Sequence, residues 1–317
     1  MPQPRSYSSS IAPQTPARLE GYGYGLIGVL VFSLTLPMTR IAVAELSPLL
    51  IGLGRALVAA VPAVLLLWLT RSRLPSREEW QGVILAAAGI VIGWPLTSTF
   101  AMSTVSSSHG AVFNGLLPLF TALFATWRSA ERPPIAFWGW ALAGAMLVMI
   151  YALRQGNGSL QTGDLWLLVA VVLGGMGYAE GARASRTLGG ARTICWALAI
   201  SAPFLLIPVT WMTIDTLSTT GWPSTQVIAA FTYLAFGSMF LGFFAWYRGL
   251  ALGGIAQVGQ IQLLQPFLTV LAAASLFQEH VEPMTYLFAV AVIVIIAGGR
   301  HAMMKPQRSP YPARLDT

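Results

Sequence analysis

Charge is what this sequence has least of. Only 9% of its 317 residues are Asp, Glu, Lys or Arg, where a soluble domain carries about 25%. So few charges cannot coat a water-facing surface, whereas hydrocarbon asks for no polar coat. There is one cysteine, Cys195, inside an apolar run. That excludes an intrachain disulfide and any cysteine-built metal cluster. The three histidines, His109, His280 and His301, fall near the ends of apolar runs, and no pair has metal-ligand spacing. The three aspartates, Asp164, Asp215 and Asp316, read as loop or tail residues, which argues against an intramembrane aspartyl protease. No HExxH, GxSxG or Walker loop is present. The chain is therefore expected not to be an enzyme and to need no metal or cofactor. Direct ATP drive would require another subunit.

Arginine is the basic residue that remains, 17 against a single lysine, and the net charge is +7. These arginines fall mostly in short loops and the tails. That distribution suits anionic lipid headgroups better than nucleic acid, and no nucleic-acid partner is expected.

The bulk of the chain is apolar, 56% hydrophobic. A helix needs about 20 apolar residues to cross the hydrocarbon. On that measure the sequence predicts an all-α membrane protein of ten transmembrane helices. The first runs over 21–43 and the second over 48–70. No charge interrupts 80–127, which holds two spans turning at 103–109. The fifth covers 134–153, the sixth 165–184 and the seventh 193–214. The eighth and ninth share 221–277 and divide near 248–254, and the tenth is 283–299. The segments 1–20 and 303–317 read as cytoplasmic tails, the first disordered and the second basic. With both termini in the cytoplasm of an inner membrane, fifteen basic residues lie inside. Two, Arg40 and Arg154, lie outside, and Arg55 lies within the second span. That is the positive-inside pattern.

Two spans repeat one another. The fourth reads Asn114-Gly-Leu-Leu-Pro118-Leu-Phe-Thr121, then Ala125 and Glu131. The ninth reads Gln262-Leu-Leu-Gln-Pro266-Phe-Leu-Thr269, then Ala273 and Glu279. The offset is 148 at Pro118/Pro266, Thr121/Thr269, Leu123/Leu271, Ala125/Ala273 and Glu131/Glu279. A weaker echo pairs Ala56-Leu57 and Pro62 with Ala197-Leu198 and Pro203. A repeat of five spans enters the membrane a second time from the opposite side. The expected organisation is thus two inverted five-helix repeats, 21–154 and 163–302. Secondary transporters place their site between such halves. Pro118 and Pro266 each remove a backbone donor and bend their helices near the midplane.

These stretches, the five-plus-five arrangement and Gly54-Arg55-Ala56-Leu57 in the second span resemble the EamA branch of the drug/metabolite transporter superfamily. The resemblance covers about residues 22 to 302. It implies inverted repeats around a central cavity and, typically, export of amino acids or other small metabolites. Where the family usually has Gly-Glu after its fourth and ninth helices, this chain has Ala130-Glu131 and Gln278-Glu279. The seventh-span counterpart of Arg55 is Trp196.

Polar residues inside spans are costly and mark candidate sites. Ser107, Asn114 and Thr121 share one helical face. Gln257, Gln260, Gln262 and Gln265 fan over roughly 200° of an α-helix, so they cannot all meet one cavity. Gln257, Gln260 and Gln265 could line it together, while Gln262 matches Asn114 by the repeat. Their amides suit a zwitterionic or polar neutral solute; interhelical bonding is the alternative. Glu180 could bind an amine or carry a coupling proton, or simply pair with Arg183. Arg55 could hold an anionic group, or pair with Glu45 at the outer face. Trp94, Tyr178, Trp246 and Tyr247 could wall a pocket, but Trp246 and Tyr247 read more readily as interface aromatics. Glu131 and Glu279 read as helix caps.

The expected function is a secondary transporter that exports a small metabolite. It would be driven by a proton gradient or by the solute's own gradient, and a homodimer is compatible with it. The competing expectation, a membrane enzyme or subunit acting on a lipid-linked substrate, would need clustered acids or histidines on one face.

Overall fold

The computed structural model describes residues 15–128, 132–155, 162–277 and 283–304, and every regular element among them is helical. We label the helices α1 (Ala17–Ala42), α2 (Pro48–Leu69), α3 (Arg77–Met102), α4 (Ser107–Asn114), α5 (Leu117–Arg128), α6 (Ile135–Gln155), α7 (Thr162–Leu188), α8 (Gly190–Thr219), α9 (Thr225–Gly253), α10 (Ile255–Phe277) and α11 (Pro283–Met304). Seven of them, α1 to α3 and α7 to α10, are long and apolar enough to cross a bilayer. α4 and α5 fill the expected fourth span but are separated by a turn at 115–116.

Local chemistry explains the helix ends. Ser47 accepts from Leu50 N, and Pro48 opens α2 where a missing N–H costs nothing. Ser76 and Glu79 form a reciprocal capping box at the start of α3. Ser224 caps α9 in the same way as Ser76 caps α3, by accepting from Val227 N. The sharp links from α7 to α8 and from α9 to α10 turn on Gly189 and Gly254, at φ of 88° and 91°, where a side chain would be strained.

The irregularities recur at the same offset as the sequence. Ser76 caps α3, and Ser224 caps α9 148 residues on. π-helical turns widen α3 at Ala87–Gly93 and α9 at Tyr233–Leu241. The break before Leu117 corresponds to a 3-10 stretch, Gln260–Leu264, before Gln265.

Contacts fix the directions. The Glu79 end of α3 meets Thr187 at the end of α7. At the other end of α3, the Met102 carbonyl accepts from Arg40, at the end of α1. Just past α1, Glu45 accepts from Ser224 N, ahead of α9. α3 and α9 therefore run in opposite directions. Packing repeats under the same exchange: α1 lies on α9 as α3 lies on α7, and α2 lies on α8. The first two contacts need glycine. A Cβ on Gly21 would stand 2.7 Å from Gly253 N, and one on Gly89 2.5 Å from the Leu173 carbonyl.

The outside of the bundle is apolar. Trp68, Trp127, Phe204, Ile207 and Trp211 are each more than two-thirds exposed. Such a continuous apolar surface fits lipid, not water. Polar side chains turn inward instead, among them Thr35, Arg55, Ser98, Asn114, Gln262 and Thr269.

Candidate functional site

The inward polar groups gather where helices are broken. Pro37 has no N–H to offer the carbonyl of Ser33, and the hydroxyl of Thr269 in α10 donates to that oxygen at 2.8 Å. One turn away, Gln265 Nε2 donates to the Phe32 carbonyl at 3.3 Å. Gln262 Nε2 donates to Gln265 Oε1 at 3.1 Å and to the Tyr178 hydroxyl at 3.3 Å. The 3-10 stretch makes this possible. At three residues per turn, Gln262 and Gln265 stack on one face, whereas Gln260 turns away and lies against Gly299 of α11. Gln257 is half-buried. The even fan expected of a regular α-helix does not form.

Tyr178 anchors the other side. Its ring packs 5.4 Å from that of Trp246 and 6.1 Å from that of Phe243, with Phe32 stacked beyond at 6.4 Å. One turn before Tyr178 on α7, Gly174 lies against Trp94, whose Cδ1 would stand 2.8 Å from a Cβ there. The Arg55 guanidinium sits 5.5 Å over the Trp94 ring, and the residue is 1% exposed. Its Nε and Nη1 are buried without a hydrogen-bond partner among the described residues, and so is the indole nitrogen of Trp94. Trp94 is the first residue after the π-helical turns of α3, whose wider repeat resets the phase at which it enters the core. Arg55, Trp94 and Tyr178 thus come together with Gln262 and Gln265.

Asn114 closes α4 at the break, fully buried, with its amide nitrogen unpaired; its repeat partner Gln262 has its amide oxygen unpaired. Each stands four residues ahead of its proline, and the Gln262 main-chain carbonyl accepts instead from Gln265 N, three residues on. Thr121 holds an unpaired hydroxyl where Thr269 is bonded.

Other candidates fall outside this centre. Glu180 is buried and shared: Arg128 Nε lies 2.5 Å from one carboxylate oxygen and Arg183 Nη2 2.9 Å from the other. The local pair with Arg183 forms, and Arg128 was not anticipated. Arg55 does not pair with Glu45, which is exposed and bound to Ser224. Trp246 and Tyr247 are fully buried core residues rather than interface aromatics, and the Tyr247 hydroxyl donates to the Gly177 carbonyl. Asp164 stands in the first turn of α7, not in a loop, with Oδ1 2.6 Å from His109 Nε2. An acid following Thr162-Gly163 was the sequence signal for a helix start there. Glu131, Glu279 and His280 lie outside the described residues.

A helical bundle with an apolar exterior and a buried polar centre defines a multi-pass membrane protein. The model of the EamA-like transporter family matches residues 19–153 and again 161–298, and the chain belongs to that family. It is 44% identical over 280 residues to the "Uncharacterized transporter YdeK" of Bacillus subtilis (strain 168), across 88% of this chain and 96% of that relative. A solved structure described only as "Crystal structure of protein" matches with a TM-score of 0.66. It covers 91% of this chain and 98% of that one at 16% identity, a likeness of fold alone. The protein is a membrane transporter.

Proposed function

We propose that the chain is a secondary transporter that exports a small metabolite, such as an amino acid, by alternating access. Two inverted five-helix halves, 21–154 and 163–302, give ten spans in the inner membrane with both ends of the chain in the cytoplasm. The observation that carries this reading is the pair of broken spans. α4/α5 and α10 break at matching positions beside matching amides, Asn114 and Gln262, while the helices around them run in opposite directions. Two such copies can exchange conformations, and the exchange opens the centre to the other side. Asn114, Gln262, Gln265, Trp94 and Tyr178 contact the solute, with Gln257 and Gln260 further along the same span. Glu180 closes the cytoplasmic end with its two arginines, and a proton or the solute gradient drives the cycle.

The test is flux. Purified protein in liposomes is offered labelled amino acids and nucleosides with and without a pH gradient. Folded protein that moves none of them would remove the transport cycle. With any solute that moves, Asn114→Ala together with Gln262→Ala should lower flux tenfold or more (about 1.4 kcal/mol of binding) without lowering membrane insertion.

A further inference from the structure

Taking the buried centre as the transport site, as proposed above, we propose that Arg55 is a carboxylate anchor. The solute would then carry a carboxylate on an apolar or aromatic body.

The case begins with an imbalance of donors. Arg55 is 1% exposed, yet two of its guanidinium nitrogens meet no acceptor among the described residues. A buried cation without a partner is among the costliest arrangements in a protein. Every buried acid among the described residues is used elsewhere. Glu79 is bound to Arg73, Asp164 to His109, and Glu180 to Arg128 and Arg183. Glu45 is exposed and bound to Ser224. The neighbours of Arg55 add donors, not charge: the Trp94 indole N–H is unpaired too.

A planar fork of N–H groups with an indole N–H beside it matches the two oxygens of a carboxylate. The surroundings then specify the remainder of the ligand. Trp94 lies under the guanidinium, and Tyr178, Phe32, Phe243 and Trp246 continue the aromatic wall. An apolar body would pack there. The α-amino group of an amino acid, if present, would meet the free amide oxygen of Gln262. The second copy of the repeat has Trp196 in place of Arg55. One anion is therefore held per transporter, and from the first half only.

The experiment uses the full chain in detergent, with unfolding followed by thiol labelling of the single buried cysteine, Cys195. The probes are 3-phenylpropionate, hexanoate and phenylalanine, each beside its primary amide. The carboxylates should raise the melting temperature of the wild type in a saturable way, and the amides should need about tenfold more ligand. A response to phenylalanine but not to 3-phenylpropionate identifies the source as an amino acid, and the reverse as a simple organic acid. Arg55→Met should abolish the response and melt about 2–4 °C above the ligand-free wild type, because a buried unpaired charge is gone. Arg55→Lys should keep a weakened response. If Arg55→Met melts below the wild type, Arg55 is part of the framework and the proposal falls. It falls equally if carboxylates and amides act alike, or if no carboxylate acts. Flux separates this result from the transport reading. Carboxylate binding through Arg55 with no flux in liposomes removes the cycle and keeps the site. Flux of a neutral or cationic solute that Arg55→Met leaves intact keeps the cycle and removes the site.

Discussion

Arg128, at the last turn of α5, donates from Nε to a carboxylate oxygen of Glu180, in the C-terminal third of α7, over 2.5 Å. Arg183 takes the other oxygen from three residues along the same helix. One buried acid therefore ties two helices that are far apart in the chain. Glu180→Ala would leave two half-buried arginines facing each other. The expected loss is about 3 kcal/mol, read as a lower melting temperature in detergent. Glu180→Gln should lose less, since it still accepts one hydrogen bond. An unchanged melting temperature for the alanine variant would mean that water already screens the pair.

The repeated caps make a paired prediction. Ser76→Ala and Ser224→Ala each remove an acceptor from the start of a long helix. Each should cost about 1 kcal/mol. Ser76→Ala should cost the more of the two, because Glu79 closes its box and Ser224 has no such partner in its own helix. Denaturation of both variants against the wild type measures the difference.

Glu45 sets an acid-side dependence. Its carboxylate accepts from Ser224, and those hydrogen bonds hold its pKa below the ordinary carboxylate value. The folded protein binds that proton more weakly than the unfolded chain does. The contact is therefore fully present above the ordinary carboxylate pKa and is lost as pH falls through the lowered one. Glu45→Gln should flatten the fall in melting temperature over that acid range and change little at neutral pH.

The Gln260 amide lies against Gly299, away from the Tyr178 cluster. Gln260→Ala should therefore reduce flux less than Gln262→Ala, which removes the bond to Tyr178. Equal losses would place Gln260 in the solute path.

Close backbone approach allows no side chain at Gly89, where a Cβ would meet the Leu173 carbonyl at 2.5 Å and the Gly177 Cα at 2.9 Å. Gly89→Leu should prevent assembly of folded protein, seen as loss of the monodisperse peak in detergent. Gly23, whose Cβ would meet nothing within 4 Å, should accept leucine.

Much of this was legible in the residues themselves. Apolar runs bounded by charge locate the helices, since hydrocarbon thickness demands a minimum length. The match from Asn114 to Glu131 with Gln262 to Glu279 marked the repeat and pointed to the two broken spans. Asp164 was harder, because an acid beside a loop reads as solvated until His109 is found 2.6 Å away. Trp246 and Tyr247 read as interface aromatics for a related reason: composition reports affinity for an environment, not position within a bundle.

By itself the sequence determined that this chain belongs in lipid, that it is helical, and that it contains one motif twice. Those properties follow from local composition and from spacing along the chain. Only the tertiary structure decided which polar side chains meet. A π-helical turn before Trp94 and a 3-10 stretch before Gln265 shift the helical phase, and uniform 100° steps then misplace the side chains that follow. Contacts such as Arg55 over Trp94, or Gln262 on Tyr178, join residues far apart in the chain, and only packing brings them together.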